Sequence, residues 1–119
     1  MGVYIIMKFN KDSYRPLPEG LTIKESSIEG LGLFATKDWK AGEELGISHV
    51  LCVSLYHGID EWVRTPLGGF INHSKNPNCF MVKESMKQSH FHFLRRAYII
   101  KPVKSGEEIT VYYSLENSD

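Results

Sequence analysis

The sequence predicts a mainly β fold with little helix. Two features carry this expectation. Apolar residues recur with a period of two in short runs, and the runs are cut by Gly, Pro, Asn and Ser, which is the pattern of many short strands. A third feature bounds the size: 119 residues are enough for one core and too few for two, so residues 1–119 are expected to form a single domain.

Taken in order, strands are expected at Leu21 to Glu25, Leu33 to Thr36, Glu44 to Leu55, Cys79 to Glu84, His90 to Arg96 and Ile109 to Tyr113. Met86 to Ser89 reads as the turn of a hairpin joining two of them. Helix is limited to one short turn, near Asp60 to Val63 or Phe70 to His73. Lys37-Asp38-Trp39-Lys40-Ala41-Gly42-Glu43-Glu44-Leu45 is echoed by Lys101-Pro102-Val103-Lys104-Ser105-Gly106-Glu107-Glu108-Ile109. Both read as a turn with Gly at a position of positive φ leading into a strand, and shared turn chemistry accounts for the echo.

Composition excludes several functions. Fourteen basic residues balance fourteen acidic ones, so no excess charge draws the chain to nucleic acid or to an anionic membrane. The run Val3-Tyr4-Ile5-Ile6-Met7 is too short to span a bilayer and lacks the form of a secretory leader, so a soluble, cytoplasmic protein is expected. Cys52 and Cys79 make no disulfide framework and read as reduced core residues. His90 and His92 share a strand face without a telling third ligand, so no metal site is expected. His49, His57 and Trp62 read as ordinary packing, and Arg64 and the Arg95-Arg96 pair as solvated surface charge, with binding of a peptide the alternative for either.

Chemistry is concentrated in two stretches. Gly68-Gly69-Phe70-Ile71-Asn72-His73-Ser74 runs through Lys75 and Asn76 into Pro77-Asn78-Cys79, setting three adjacent hydrogen-bonding side chains at the end of an apolar element. Groups so placed either bind a ligand or need internal partners, and a satisfied polar turn would explain the run equally well. The second stretch is Gly106-Glu107-Glu108-Ile109-Thr110-Val111-Tyr112-Tyr113. Together with Ser27-Ile28-Glu29-Gly30-Leu31-Gly32-Leu33-Phe34-Ala35, these form an ordered triple that resembles the SET domain of protein-lysine methyltransferases over residues 21–113, nearest to short free-standing members from bacteria and viruses.

The resemblance implies a β-clip of several small sheets in which the C-terminal segment passes beneath a preceding loop as a pseudoknot. It implies S-adenosyl-L-methionine as cofactor and transfer of its methyl group to a lysine of a protein or peptide substrate, a histone among the candidates. Gly30, Leu31 and Gly32 would approach the methionine moiety through the backbone. Asn72 would hold the amino-acid end of the cofactor, His73 would meet the adenine largely through its backbone, and Tyr113 would place its hydroxyl at the transferring methyl. Such chemistry requires mainly positioning and a field that favours the neutral amine.

Departures from the family pattern set further expectations. Lys75 stands where many members carry Cys, and no Cys follows Tyr113, so the zinc cluster that completes the lysine channel in many relatives cannot form. The tail Ser114 to Asp119, the substrate or a second protomer would close the site. Gly69 replaces a common arginine, Tyr112 an acidic or small residue, and Val111 a position that influences how many methyls are added. The reading from another class is a catalytically silent module of this fold that binds a peptide or partner. A viral or effector source would put the protein in a host cell or nucleus.

Overall fold

A computed structural model describes residues 16–53, 60–85 and 93–112 of the chain. Its strands are β1 (Leu21–Glu25), β2 (Leu31–Ala35), β3 (Glu44–Val53), β4 (Asp60–Arg64), β5 (Asn72–His73), β6 (Cys79–Ser85), β7 (Phe93–Ile99) and β8 (Glu108–Val111). The single described helix is one turn, α1 (Pro66–Gly69). Hydrogen bonds link the strands in the order β1-β2-β8-β6-β7-β3-β4, with β5 attached to β8. The mainly β expectation holds, and β8 joins a three-stranded sheet, β1-β2-β8, to a larger one.

The pattern of small curled sheets closes around one core. Leu33, Ile109, Ala97, Ile99, Val103 and Cys79 are almost wholly buried, and Leu45, Leu67, Ile71 and Val111 complete the same cluster. Each large aliphatic side chain so buried contributes roughly 1.5–3 kcal/mol relative to exposure. β8 supplies three successive buried residues, Ile109 to Val111, because it is covered on both faces.

Several boundaries differ from expectation. β1 is as expected, whereas β2 starts two residues early, at Leu31, because Gly32 and Leu31 pair with Lys24 and Glu25 of β1. β7 continues to Ile99 because Tyr98 and Ile99 pair with Phe80 and Cys79. β8 starts at Glu108 and ends at Val111, with Tyr112 beyond it. The expected turn Met86 to Ser89, His90, His92, His57, Leu55 and Tyr113 lie outside the described residues.

Both expected helical positions are corrected. Asp60 to Val63 belongs to β4, whose residues pair with Val50 to Val53, so tertiary pairing overrides a weak local preference. Phe70 to His73 leaves α1 and enters β5. The helix itself sits at Pro66–Gly69, where Thr65 Oγ1 caps the Gly68 amide at 3.3 Å and Pro66 occupies the first turn without losing a needed donor. Gly68 lies so close to β3 that an added Cβ would overlap the Ser48 carbonyl.

The two echoed turns face each other. Trp39 and Val103, at matching positions of the echo, form an antiparallel bridge through bonds of 2.7 and 2.9 Å. Gly42 and Gly106 both have positive φ, 90° and 96°. The Gly42 amide donates to Ile99 and the Gly106 amide to Ala35, so each turn docks on the strand that precedes the other.

Cys79 is buried as expected, but Cys52 is exposed on β3, a correction. Arg96 is likewise not simply solvated: Glu44 and Glu84 hold it at 2.8 and 3.0 Å. Among the described residues no helix is long and apolar enough to cross a membrane, and none form a group of three or more His, Cys, Asp or Glu suited to a metal.

Candidate functional site

β5 is only two residues long, yet it places the polar motif. Asn72 and His73 pair in parallel with Thr110 and Val111 of β8. The loop that follows arches over β8 and is tied to it at both ends: the Ser74 amide donates to Val111 O at 2.9 Å and the Asn78 amide to Thr110 O at 3.2 Å. The Asn78 side chain completes the clasp, accepting from the Thr110 amide and donating to Glu108 O, both at 2.9 Å. This is the expected passage of the C-terminal strand beneath a loop, and the Asn-Pro-Asn turn supplies its polar fasteners.

Asn72 is held by a node that the sequence did not disclose. Its Nδ2 donates to Glu108 Oε2 at 2.8 Å and lies 3.2 Å from the carbonyls of Glu29 and Leu31. Ser26 Oγ donates to the same carboxylate at 2.8 and 2.9 Å and accepts from the Ile28 amide. With Nδ2 fixed in this way, Oδ1 of Asn72 has no partner among the described residues. Charge-assisted bonds of this kind are the stronger class and set the rotamer of Asn72 firmly.

Gly32 serves this node rather than open space. A Cβ at Gly32 would overlap the Glu108 carboxylate, so the glycine makes room for Glu108 to reach Asn72. Gly30 differs: it adopts φ +48°, its carbonyl accepts from the Ser26 amide, and an added Cβ would meet nothing within 4 Å.

Gly30, Leu31, Asn72 and His73 line one cleft of about 470 Å³, along with Glu29 and Arg64. Four of the six expected binding residues are thereby brought together. Gly32 sits behind them in the Glu108 node, and Tyr113 lies outside the described residues. Its neighbour Tyr112 is exposed and packs its ring 5.0 Å from that of His73, so the chain leaves β8 alongside the cleft.

Glu108 and Ser26 are the site residues that sequence reasoning missed, and it offers Arg64 only as surface charge or a peptide contact, not as part of this cleft. Glu108 stood inside a quoted motif, and alternation around buried Ile109 was a signal for its orientation. Arg64 had no such signal, because its place depends on β4 pairing with β3.

Beneath the cleft, Ser48 and His49 form a buried polar pair, Oγ to Nδ1 2.8 Å. Ser48 O accepts from the Thr65 amide at 3.0 Å, which anchors α1 and hence the approach to Asn72. Burial lowers the His49 pKa to about 4, with Arg95 and Arg64 adding to the effect, so the ring is neutral at physiological pH. Trp62 packs as expected, edge-on to His49 at 6.4 Å. Burial pushes the Cys79 thiol up to about 12, which leaves it inert as a nucleophile.

The SET domain family matches residues 52–114, more than half of the chain. Over 122 aligned residues the chain is 24% identical to histone-lysine N-methyltransferase SETD7 of Halocynthia roretzi, with 99% of this chain and 29% of the relative covered. The chain thus spans under a third of that relative's length. Among solved structures, a candidate histone methyltransferase of Plasmodium falciparum superposes with a TM-score of 0.67 at 21% identity, covering 83% of this chain and 96% of the other. Polycomb Repressive Complex 2 of Chaetomium thermophilum, bound to S-adenosylmethionine, superposes with a TM-score of 0.62 at 20% identity, covering 80% and 15%. These structures share its fold.

Proposed function

We propose, from the premise that this chain belongs to the SET-domain family, that it is an S-adenosylmethionine-dependent protein-lysine N-methyltransferase. The observation that carries the reading is the fixed Asn72 amide at the rim of the cleft, whose Oδ1 has no partner among the described residues. An ammonium group is the natural donor to that oxygen, and Arg64 and Glu29 give the cleft one charge of each sign. The donor set therefore fits a cofactor with an amino-acid end. The cleft's size and the open space at Gly30 and Gly69 are compatible with a ligand of that bulk.

In this reading Gly30 and Leu31 lie against the methionine moiety, Asn72 holds its amino group, and His73 lies beside the adenine. The cofactor supplies an activated methyl on a sulfonium. The protein's part is alignment and deprotonation. A lysine near its usual pKa of 10.4 is neutral in only about one molecule in a thousand at neutral pH, so the site must favour the free amine. A poorly solvated channel for the lysine would do this by penalising the charged form. Tyr113, one residue past Tyr112, would accept or donate the hydrogen bond that aligns the amine, and residues 21–113 would make up the catalytic domain. The relative from Halocynthia makes a histone tail the first substrate to assay.

Two measurements test the proposal. Calorimetry should detect cofactor binding by the wild type and a ten- to hundredfold weaker affinity in Asn72→Ala, on the order of 1.5–3 kcal/mol. Equal affinities would remove Asn72 from the site. Tyr113→Phe should lower kcat about a hundredfold with little change in cofactor affinity, whereas Tyr112→Phe should matter less. Full activity in Tyr113→Phe would overturn its catalytic role, and cofactor binding without methyl transfer to any lysine protein would leave a silent binding module.

A further inference from the structure

Arg64 ends β4, and its backbone is fixed on both sides. It pairs with His49 of β3, and just beyond it the Thr65 amide donates to Ser48 O at 3.0 Å while Thr65 Oγ1 donates to Ile47 O at 2.6 Å. The root of the side chain is therefore anchored. Its guanidinium, by contrast, makes no hydrogen bond and no ion pair with any described residue. Among the described residues the ion pairs are those of Arg96 with Glu44 and Glu84, so Glu29, which lines the same cleft, does not pair with Arg64. His49, its strand partner, is a neutral ring whose pKa is lowered by burial first and by Arg95 and Arg64 after it.

The turn that follows adds room beside it. The Gly69 amide donates to Thr65 O at 2.9 Å, closing α1 and returning the chain to the cleft that Arg64 lines. A Cβ at Gly69 would meet nothing within 4 Å, so the wall is open at that point. Two complementary groups then share the cleft. Among the described residues Asn72 Oδ1 is an acceptor without a donor, and Arg64 is a donor without an acceptor. An α-amino acid carries the matching ammonium and carboxylate on one carbon. A guanidinium suits the carboxylate, because its planar fork meets both oxygens in charge-assisted bonds roughly twice as strong as neutral ones.

We propose that Arg64 binds the carboxylate of the cofactor's amino-acid end, and that it makes the site selective for a cofactor carrying both charged halves of an amino acid. The statement rests on the methyltransferase reading, in which Asn72 of β5 takes the ammonium while β4 supplies the arginine. An acidic side chain of a peptide is the competing ligand for the same cation. The cofactor is favoured because Arg64 lines one cleft with Gly30 and Asn72, where a single bound molecule meets all three. An exposed arginine paired singly with a peptide carboxylate gains little. Arg64 is itself exposed, so screening by water and salt sets the expected effect at about tenfold rather than a thousandfold.

Calorimetry on the full chain compares S-adenosylmethionine with its decarboxylated form, which keeps the sulfonium and the amine but has hydrogen in place of the carboxylate. The wild type should bind the first about tenfold more tightly, or better. Arg64→Gln should weaken S-adenosylmethionine about tenfold and leave the decarboxylated form within about twofold, which erases the preference. Lys40→Gln, in an exposed turn outside the cleft, is the control for total charge and should keep the preference. A preference that survives Arg64→Gln, or an equal loss for both cofactors, overturns the proposal, the second outcome marking a role in shape alone. A wild type that binds neither cofactor removes the methyltransferase reading itself. Binding of S-adenosylmethionine that Arg64→Gln leaves unchanged removes the role of Arg64 and spares that reading. If Arg64→Gln instead raises KM for a lysine peptide flanked by Asp and Glu, with cofactor affinity intact, the arginine belongs to the peptide and the proposal falls.

Discussion

Two turns of nearly the same sequence, Lys37 to Leu45 and Lys101 to Ile109, reach the same local shape and different ends. In each, the first glutamate folds back on its own turn: Glu43 accepts from the Lys40 amide at 2.6 Å and Glu107 from the Lys104 amide at 2.7 Å. In each, a glycine with positive φ follows the capped residues. The second glutamates part company. Glu44 reaches outward to Arg96 at a partly exposed ion pair, whereas Glu108 reaches inward to Ser26 and Asn72. Local sequence therefore sets the turn, and the surrounding strands decide whether its last carboxylate is ornament on the surface or support for a binding residue.

The comparison breaks first at those second glutamates. Glu108→Ala removes the acceptor of the Ser26 hydroxyl and the shortest of the three contacts of Asn72 Nδ2, leaving it the Glu29 and Leu31 carbonyls, so it should cost about 2–3 kcal/mol of stability and loosen Asn72, weakening cofactor affinity as well. Glu44→Ala should cost less than about 1 kcal/mol, as exposed pairs do. Urea unfolding of both variants decides the matter, and equal losses would mean that the inward node is no more than another surface contact. A double-mutant cycle between Glu108 and Asn72 sharpens the point, with a coupling of roughly 0.5–3 kcal/mol expected for bonded neighbours.

At the glycines the two turns should behave alike. Gly42→Ala and Gly106→Ala each force a Cβ into left-handed backbone with space around it, so each should lose about 1–2 kcal/mol from conformation alone. Thermal melts that differ by many degrees between these two variants would show that the turns are not equivalent. Smaller still is the effect at the capping glutamates. Glu43→Ala and Glu107→Ala remove one side-chain to backbone bond each, worth about 0.5–1.5 kcal/mol. The smallest effect comes from salt, where raising ionic strength to screen exposed charge should shrink the cost of Glu44→Ala toward zero and leave that of Glu108→Ala nearly intact.

Much of the site was legible because its polar motifs are local. Asn72-His73 and Gly30-Leu31 could be picked out by residue type, and the structure places all four on one cleft. What escaped notice were groups whose meaning depends on a distant partner. Glu108 looks like any turn glutamate until β8 is laid between β2 and β5, and Arg64 like any surface arginine until β4 forms the sheet edge. Cys52 and Cys79 were read alike, yet pairing buries one and exposes the other, since the face a strand residue takes follows from which strands lie beside it.

The chain's own sequence determined the strand-rich class, the turn chemistry and the polar residues available to a site. These follow from backbone preferences and side-chain periodicity, which act over a few residues. Tertiary structure alone decided that β8 runs beneath the Ser74 to Asn78 loop, that Gly32 is small because Glu108 needs its space, and that Arg64 of β4 lines one cleft with Glu29 and Gly30. Each of these joins residues far apart in the chain through strand register, and register is a property of the assembled sheet rather than of any one strand.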